Sequence, residues 1–206
     1  MAQQAREERQ EPWVPKTKLG KLVAEGKITS LEEIFQLGHK VREPEIVKTL
    51  LPDLKSEVVG VGIVQKQTDA GELTRFGSVV AVGNSDGWFG VGKGKAPQMK
   101  SSIDKATYDA LLNIIPVKLG CGSWECRCGR RHSVPYRITG KAGSVRVELI
   151  PGPRALGIVA GPALKNLLAL AGVKDVWVRT FGSTNTMASL ANAVYDAFKK
   201  AHGLNV

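Results

Sequence analysis

Nowhere in the 206 residues do eighteen apolar positions follow one another, so no membrane-spanning helix is expected. The opening stretch, MAQQAREERQEPWVPK, is charged from its sixth residue, which excludes a secretory leader and leaves the cytoplasm as the expected compartment. Cysteine is scarce. Its three copies are an odd number and all fall between positions 121 and 128, which argues against a disulfide framework and for reduced thiols or a metal. Histidine is equally rare: His39 and His202 stand isolated, and the carboxylates lie singly on helices or turns. No nucleophile, base and orienting acid can be assembled from such spacing, so neither an enzyme nor a small-molecule substrate is expected. With few aromatics, Trp88, Trp124 and Trp177 read as packing residues.

What the chain has is positive charge, unevenly placed. The total is +10, yet residues 1–57 hold ten Lys/Arg against ten Asp/Glu. All the excess lies beyond them, and residues 93–154 alone hold twelve bases against four acids. A concentrated cationic field of this kind suits phosphates, because each contact releases condensed counterions. Dispersed charge of both signs would serve solubility better.

Periodicity divides the chain into four stretches. Residues 1–55 read as a helical extension. Its first dozen residues are expected to be mobile as far as Trp13, then Ser30-Leu-Glu-Glu33 offers a capping box for a short helix and Glu43-Pro44 opens a second. Residues 56–118 change to a valine-rich pattern. Strands are predicted over 58–67 and 78–84 with a polar loop between, then an Asn84-Ser-Asp-Gly87 turn, a third strand over 88–95 and a helix over 98–114. Residues 119–133 form a Gly-, Cys- and Arg-rich connector. Residues 134–206 give strands over 134–140, 144–151 and 173–181, a helix from Pro162 to Gly172 and a last helix over 185–202. The class is α+β, with two compact domains after a docking arm.

Three segments invite a chemical reading. Gly87 to Gly94 nearly matches a nucleotide-binding phosphate loop, but Gly94 stands where a hydroxyl should hold magnesium, and the glycines run along a strand. The same segment suits RNA: Lys93, Lys95 and Lys100 flank a helix start that attracts phosphate. In the polar loop, Lys66 and Arg75 are placed to reach a sugar-phosphate backbone, with Asp69 and Glu72 opposing them. The connector gathers Cys121, Cys126, Cys128 and His132 into twelve residues. They are either a four-ligand structural zinc set with irregular spacing, or a reduced loop whose Arg127, Arg130 and Arg131 press on RNA. Lys141 and Arg146, on the following hairpin, complete the RNA-binding candidates.

The stretches RFGSVVAVGNSDGWFGVGKGKAPQMKSSIDKA (75–106) and VPYRITGKAGSVRVELIPGPRALGIVAGPALKNLLALAGVKDVWVRTFGSTNT (134–186) resemble small-subunit ribosomal protein family five. The segment at 11–35 and the cysteine connector look like archaeal members. This resemblance implies a double-stranded-RNA-binding-like βββα domain followed by a βαβ-type domain. It also implies a structural role on small-subunit rRNA near the mRNA entry channel, with mRNA and ribosomal proteins four and eight as neighbours. By position, Arg154 and Lys165 would face protein four, and 66–75 would be the rRNA-reaching loop, although Asp69-Ala-Gly-Glu72 departs from the basic bacterial loop. A free RNA chaperone or double-stranded-RNA binder is the alternative the charge pattern allows.

Overall fold

The computed structural model describes residues 13–126 and 128–203; the expectation for the first dozen residues, and the position of Arg127, lie outside them. The chain divides into a small unit ending at Leu50 and a larger one from Leu51. In the small unit three short helices are each set by a local signal. α1 (Lys18–Ala24) starts where the Thr17 hydroxyl accepts from Gly20 N at 3.0 Å, and α2 (Leu31–Gln36) where the Ser30 hydroxyl accepts from Glu33 N at 3.3 Å. α3 (Pro44–Leu50) opens on proline. Glu43 ties the unit together: its carboxylate accepts from Trp13 Nε1 (3.0 Å), Lys16 N (3.1 Å) and Thr17 N (2.6 Å). Burial pushes this carboxyl up in pKa, but those bonds, led by Thr17, outweigh it and leave the pKa lowered. α1 was not legible, because its Lys and Gly residues dilute the apolar spacing.

The larger unit begins with an antiparallel sheet in the order β1 (Lys55–Thr68), β2 (Gly71–Gly83), β3 (Trp88–Ala96) and β4 (Ile115–Pro116). The predicted polar loop is in fact strand. The β1–β2 ribbon continues through Lys66↔Leu73 to Thr68↔Gly71, leaving only Asp69 and Ala70 to turn. Both faces of the ribbon tip are wet, so no alternation of apolar and polar residues announced it. The next turn behaves as its sequence suggests: Asn84 Oδ1 accepts from Asp86 N and Trp88 N.

α4 (Met99–Leu112) covers one face of this sheet, and three glycines make that possible. Side chains alternate along β3, and a Cβ on Gly90, Gly92 or Gly94 would strike the α4 backbone at Ala110, Ala106 or Ser102. Ser102, buried at this seam, donates to Gly94 O at 3.0 Å and shares a 2.8 Å bond with the Ser78 hydroxyl. Replacing Gly92 by valine should therefore lift the helix off the sheet and destabilise the protein by about 3 kcal/mol or more, seen as loss of the cooperative thermal transition.

The second sheet runs β5 (Ile138–Ala142), β6 (Val145–Pro151), β8 (Val176–Phe181), β7 (Ile158–Val159). β7 pairs with β8 in parallel across α5 (Pro162–Leu170), so the expected βαβ unit is present, built on a first strand too short to show in the sequence. The strand expected from residue 134 begins only at Ile138. α6 (Met187–Gly203) packs on β5, where Gly140 has no Cβ to obstruct Ala193 and Ala197. The two α+β halves share one core. Ala81, Phe89 and Val91 of the first sheet join Leu149, Leu167, Leu168, Leu190 and Val194 of the second half in a single buried cluster. The Phe89 and Phe198 rings meet edge to face with centroids 5.4 Å apart.

Candidate nucleic-acid interface and metal-ligand cluster

The first sheet has a second face, and strand alternation decides which cations share it. On β3, Lys93 and Lys95 project opposite to the glycines that meet α4. In register with Lys95 and Lys93 are Gly77 and Val79, and Gly77 pairs with Gly62. Continuing outward by twos, Val64 lies opposite Arg75 and Lys66 opposite Leu73. Lys66, Arg75, Lys93 and Lys95 thus fall on one face of one sheet, all exposed. Lys100 does not join them. It rides on α4, which covers the opposite face of the sheet, so of the three lysines expected around this helix start only Lys93 and Lys95 share a face.

Near its middle this face is closed by the second half of the protein; at its outer end it is open. There the strands and the residues leading into α6 form a cleft of about 570 Å³, lined by Gly60, Gly62, Gly77, Lys93, Lys95 and Thr186 among others. Gly87 to Gly94 is a turn and an extended strand, with none of the wrapping of a nucleotide-binding loop.

A second cationic face lies on β5, β6 and β8, away from α6. Arg146 Nη2 bonds Glu148 Oε1 at 2.6 Å and Arg137 Nη2 bonds Oε2 at 2.5 Å, while Arg146 also stacks over Phe181, 5.6 Å from its centroid. The Arg137 guanidinium, with Arg146 beside it, holds the Glu148 carboxyl below the usual carboxylate range. Lys141 is exposed opposite Arg146, its backbone N–H bound to Asp196 Oδ2 at 2.9 Å. Sequence reasoning found Lys141 and Arg146 but missed Arg137 and Arg179, the latter in register with Glu148. Because a lowered carboxyl pKa stabilises the fold above the unfolded-state value and is lost as pH falls through the folded one, the thermal midpoint should drop on acidification below about pH 4. Glu148→Gln should flatten that acid limb.

The connector brings its four candidate ligands together. The sulfurs of Cys121, Cys126 and Cys128 and a ring nitrogen of His132 all lie within 4.8 Å of one another, and Cys126 Sγ stands 3.7 Å from His132 Nε2. Tetrahedral zinc with bonds of about 2.3 Å to sulfur and about 2.0 Å to nitrogen would set that edge at about 3.5 Å. His132 is aimed from behind: its Nδ1 bonds Asp175 Oδ2 at 2.8 Å, leaving Nε2 for the cluster, while Asp175 Oδ1 accepts from Gly157 N at 2.8 Å. A carboxylate behind a histidine is the usual second layer of a metal site, and Asp175 is the residue that sequence reading missed. Hydrogen bonding to His132 brings the Cys121 thiol down to about 6, and the Cys128 thiol, followed by the backbone N–H groups of Arg154 and Cys128, holds Cys126 low as well. The set can therefore hold a tetrahedral cation. Arg130 and Arg131 are exposed beside it, and so is Trp124, 80% accessible instead of packed, because it sits on the turn leading to Cys126. Arg154 and Lys165 are exposed too, on the turn after β6 and on α5.

Comparison with known proteins assigns the family. The model described as Ribosomal protein S5, N-terminal domain, matches residues 54–118, and that of the S5 C-terminal domain matches 140–204. The chain belongs to the ribosomal protein S5 family. Curated relatives named small ribosomal subunit protein uS5 agree. That of Thermofilum pendens is 55% identical over 190 residues, covering 92% of this chain and 94% of its own. Those of Cenarchaeum symbiosum (55% over 196 residues, 95% and 90%) and Staphylothermus marinus (56% over 192 residues, 93% and 90%) are similar to the same extent. In this S5-family chain the two family segments coincide with the two sheets, and the cysteine cluster falls in the 21 residues between them. No helix among the described residues is long and apolar enough to cross a membrane.

Proposed function

We propose that the chain is built into the small ribosomal subunit, in the cytoplasm, as a structural protein that grips small-subunit rRNA by its phosphates and performs no catalysis. The observation that carries this reading is the shared face of Lys66, Arg75, Lys93 and Lys95, since four exposed cations at strand spacing match a backbone whose charges recur at short intervals. Lys141 and Arg146 extend the contact over the second sheet, and Arg127, Arg130 and Arg131 supply a third point from the connector. Lys100 makes a separate contact from α4. The work divides along the chain: residues 1–55 are a docking extension, 56–118 the RNA-gripping domain, 119–133 the connector and 134–206 the domain that meets neighbouring proteins.

The finer placement follows the family. The subunit site lies near the mRNA entry channel, ribosomal proteins four and eight are neighbours, and exposed Arg154 and Lys165 face protein four. Assembly and accuracy of translation are the functions served. Cys121, Cys126, Cys128 and His132 hold one structural zinc, which fastens the connector without taking part in any reaction. Sedimentation of a lysate, with the protein quantified across the gradient, should find one copy per small subunit. A predominantly free pool, with residues 1–57 dispensable for incorporation, would instead indicate a free RNA chaperone.

A further inference from the structure

Glycines in strands have two explanations in this fold, and one residue fits neither of those internal to the chain. Gly90, Gly92 and Gly94 are required because the α4 backbone lies on them, and Gly60 because its Cβ would press on Met187. Gly62 is different: a Cβ there would meet nothing within 4 Å, and the residue has no left-handed backbone to demand glycine. Glycine in mid-strand weakens a sheet, and its use at a site open to solvent fits a position where something else approaches the backbone closely. Its pairing partner Gly77 also has no side chain, and a Cβ there would make only ordinary contact, with Val64 Cγ2 at 3.4 Å, so the two leave a low floor beside Val64. That floor lies in the cleft whose rim carries Lys93 and Lys95, with Asn185 and Thr186 on the opposite wall.

We infer that the Gly62–Gly77 floor is a seat for the sugar-phosphate backbone of an rRNA strand, with the ribose edge on the glycines and a phosphate between Lys93 and Lys95. The seat rests on the reading of this chain as an rRNA-binding protein and gives that reading a specific point of closest approach. Charge selects the occupant: both lysines are exposed and no carboxylate among the described residues lines the cleft. A volume of about 570 Å³ is in the range of sites that enclose a small ligand moiety.

The test uses the full-length protein and transcribed archaeal small-subunit rRNA, with affinity measured over a range of salt and thermal stability measured alongside. Gly62→Val should hold or raise Tm, since β-branched residues suit strands. It should weaken rRNA binding about tenfold, as expected for one lost charge-assisted hydrogen bond. The salt dependence should fall by about 1–2 phosphate contacts, which a merely structural change would not produce. Lys93→Gln with Lys95→Gln should shift the slope similarly, and adding Gly62→Val to that pair should cost less than it does alone. If Gly62→Val lowers Tm by more than a few degrees, Gly62→Ala, with only one added carbon, reads the same seat with a smaller loss. Wild-type affinity and slope in folded Gly62→Val would overturn the seat alone; failure of the unaltered protein to bind rRNA would overturn the parent reading instead.

Discussion

Protein folded with zinc present should carry about one zinc per chain, and Cys126→Ser should carry close to none. The geometry drives this expectation: three sulfurs and His132 Nε2 converge on a point, and removing one sulfur leaves an incomplete set for a metal whose structural sites are four-coordinate. Asp175→Asn should keep the four ligands yet weaken zinc binding by about 10–100-fold, because the orienting charge behind His132 is lost. In both variants the two sheets should remain folded, with the main thermal transition retained, while proteolysis opens the connector around Trp124 first. Native small subunits containing this protein but free of the corresponding zinc would remove the metal from the account and leave a reduced, arginine-bearing loop.

The second large effect concerns RNA. Changing Lys66, Arg75, Lys93 and Lys95 together to glutamine should reduce the magnitude of the slope of log K against log salt by about 3, at ~0.7–0.9 per phosphate contact. Affinity at low salt should fall by orders of magnitude, and Tm should hardly move, because all four side chains are exposed. Lys100→Gln, from the opposite side of the sheet, should alter the slope by no more than one contact. A quadruple variant with the original slope would show that this face does not meet phosphate.

The sequence made the larger elements legible where chemistry is local. The Ser30 hydroxyl, Pro44 and the Asn84–Gly87 turn act within four residues of themselves, and each does in the structure what its type requires. Alternation placed Lys93 and Lys95 on one face, but which face α4 takes is a tertiary fact, and it separates them from Lys100. The same limit applies to glycine: GVG at 60–62 and GVG at 90–92 are identical strings, yet the second lies under a helix and the first is partly bare. Four cluster ligands were visible because they crowd into twelve residues. Asp175, 43 positions from His132, carried no such signal and was brought in by the strand that follows α5. Arg137 and Arg179 were hidden for a like reason, since only strand register reveals that they flank Glu148.

Small subunits reconstituted with this chain and imaged at side-chain resolution would examine the account most directly. The expected result is rRNA backbone lying along the open face of the first sheet, with phosphates within salt-bridge distance of Lys66, Arg75, Lys93 and Lys95. Solvent or another protein covering that face, with rRNA confined to other surfaces, would contradict it.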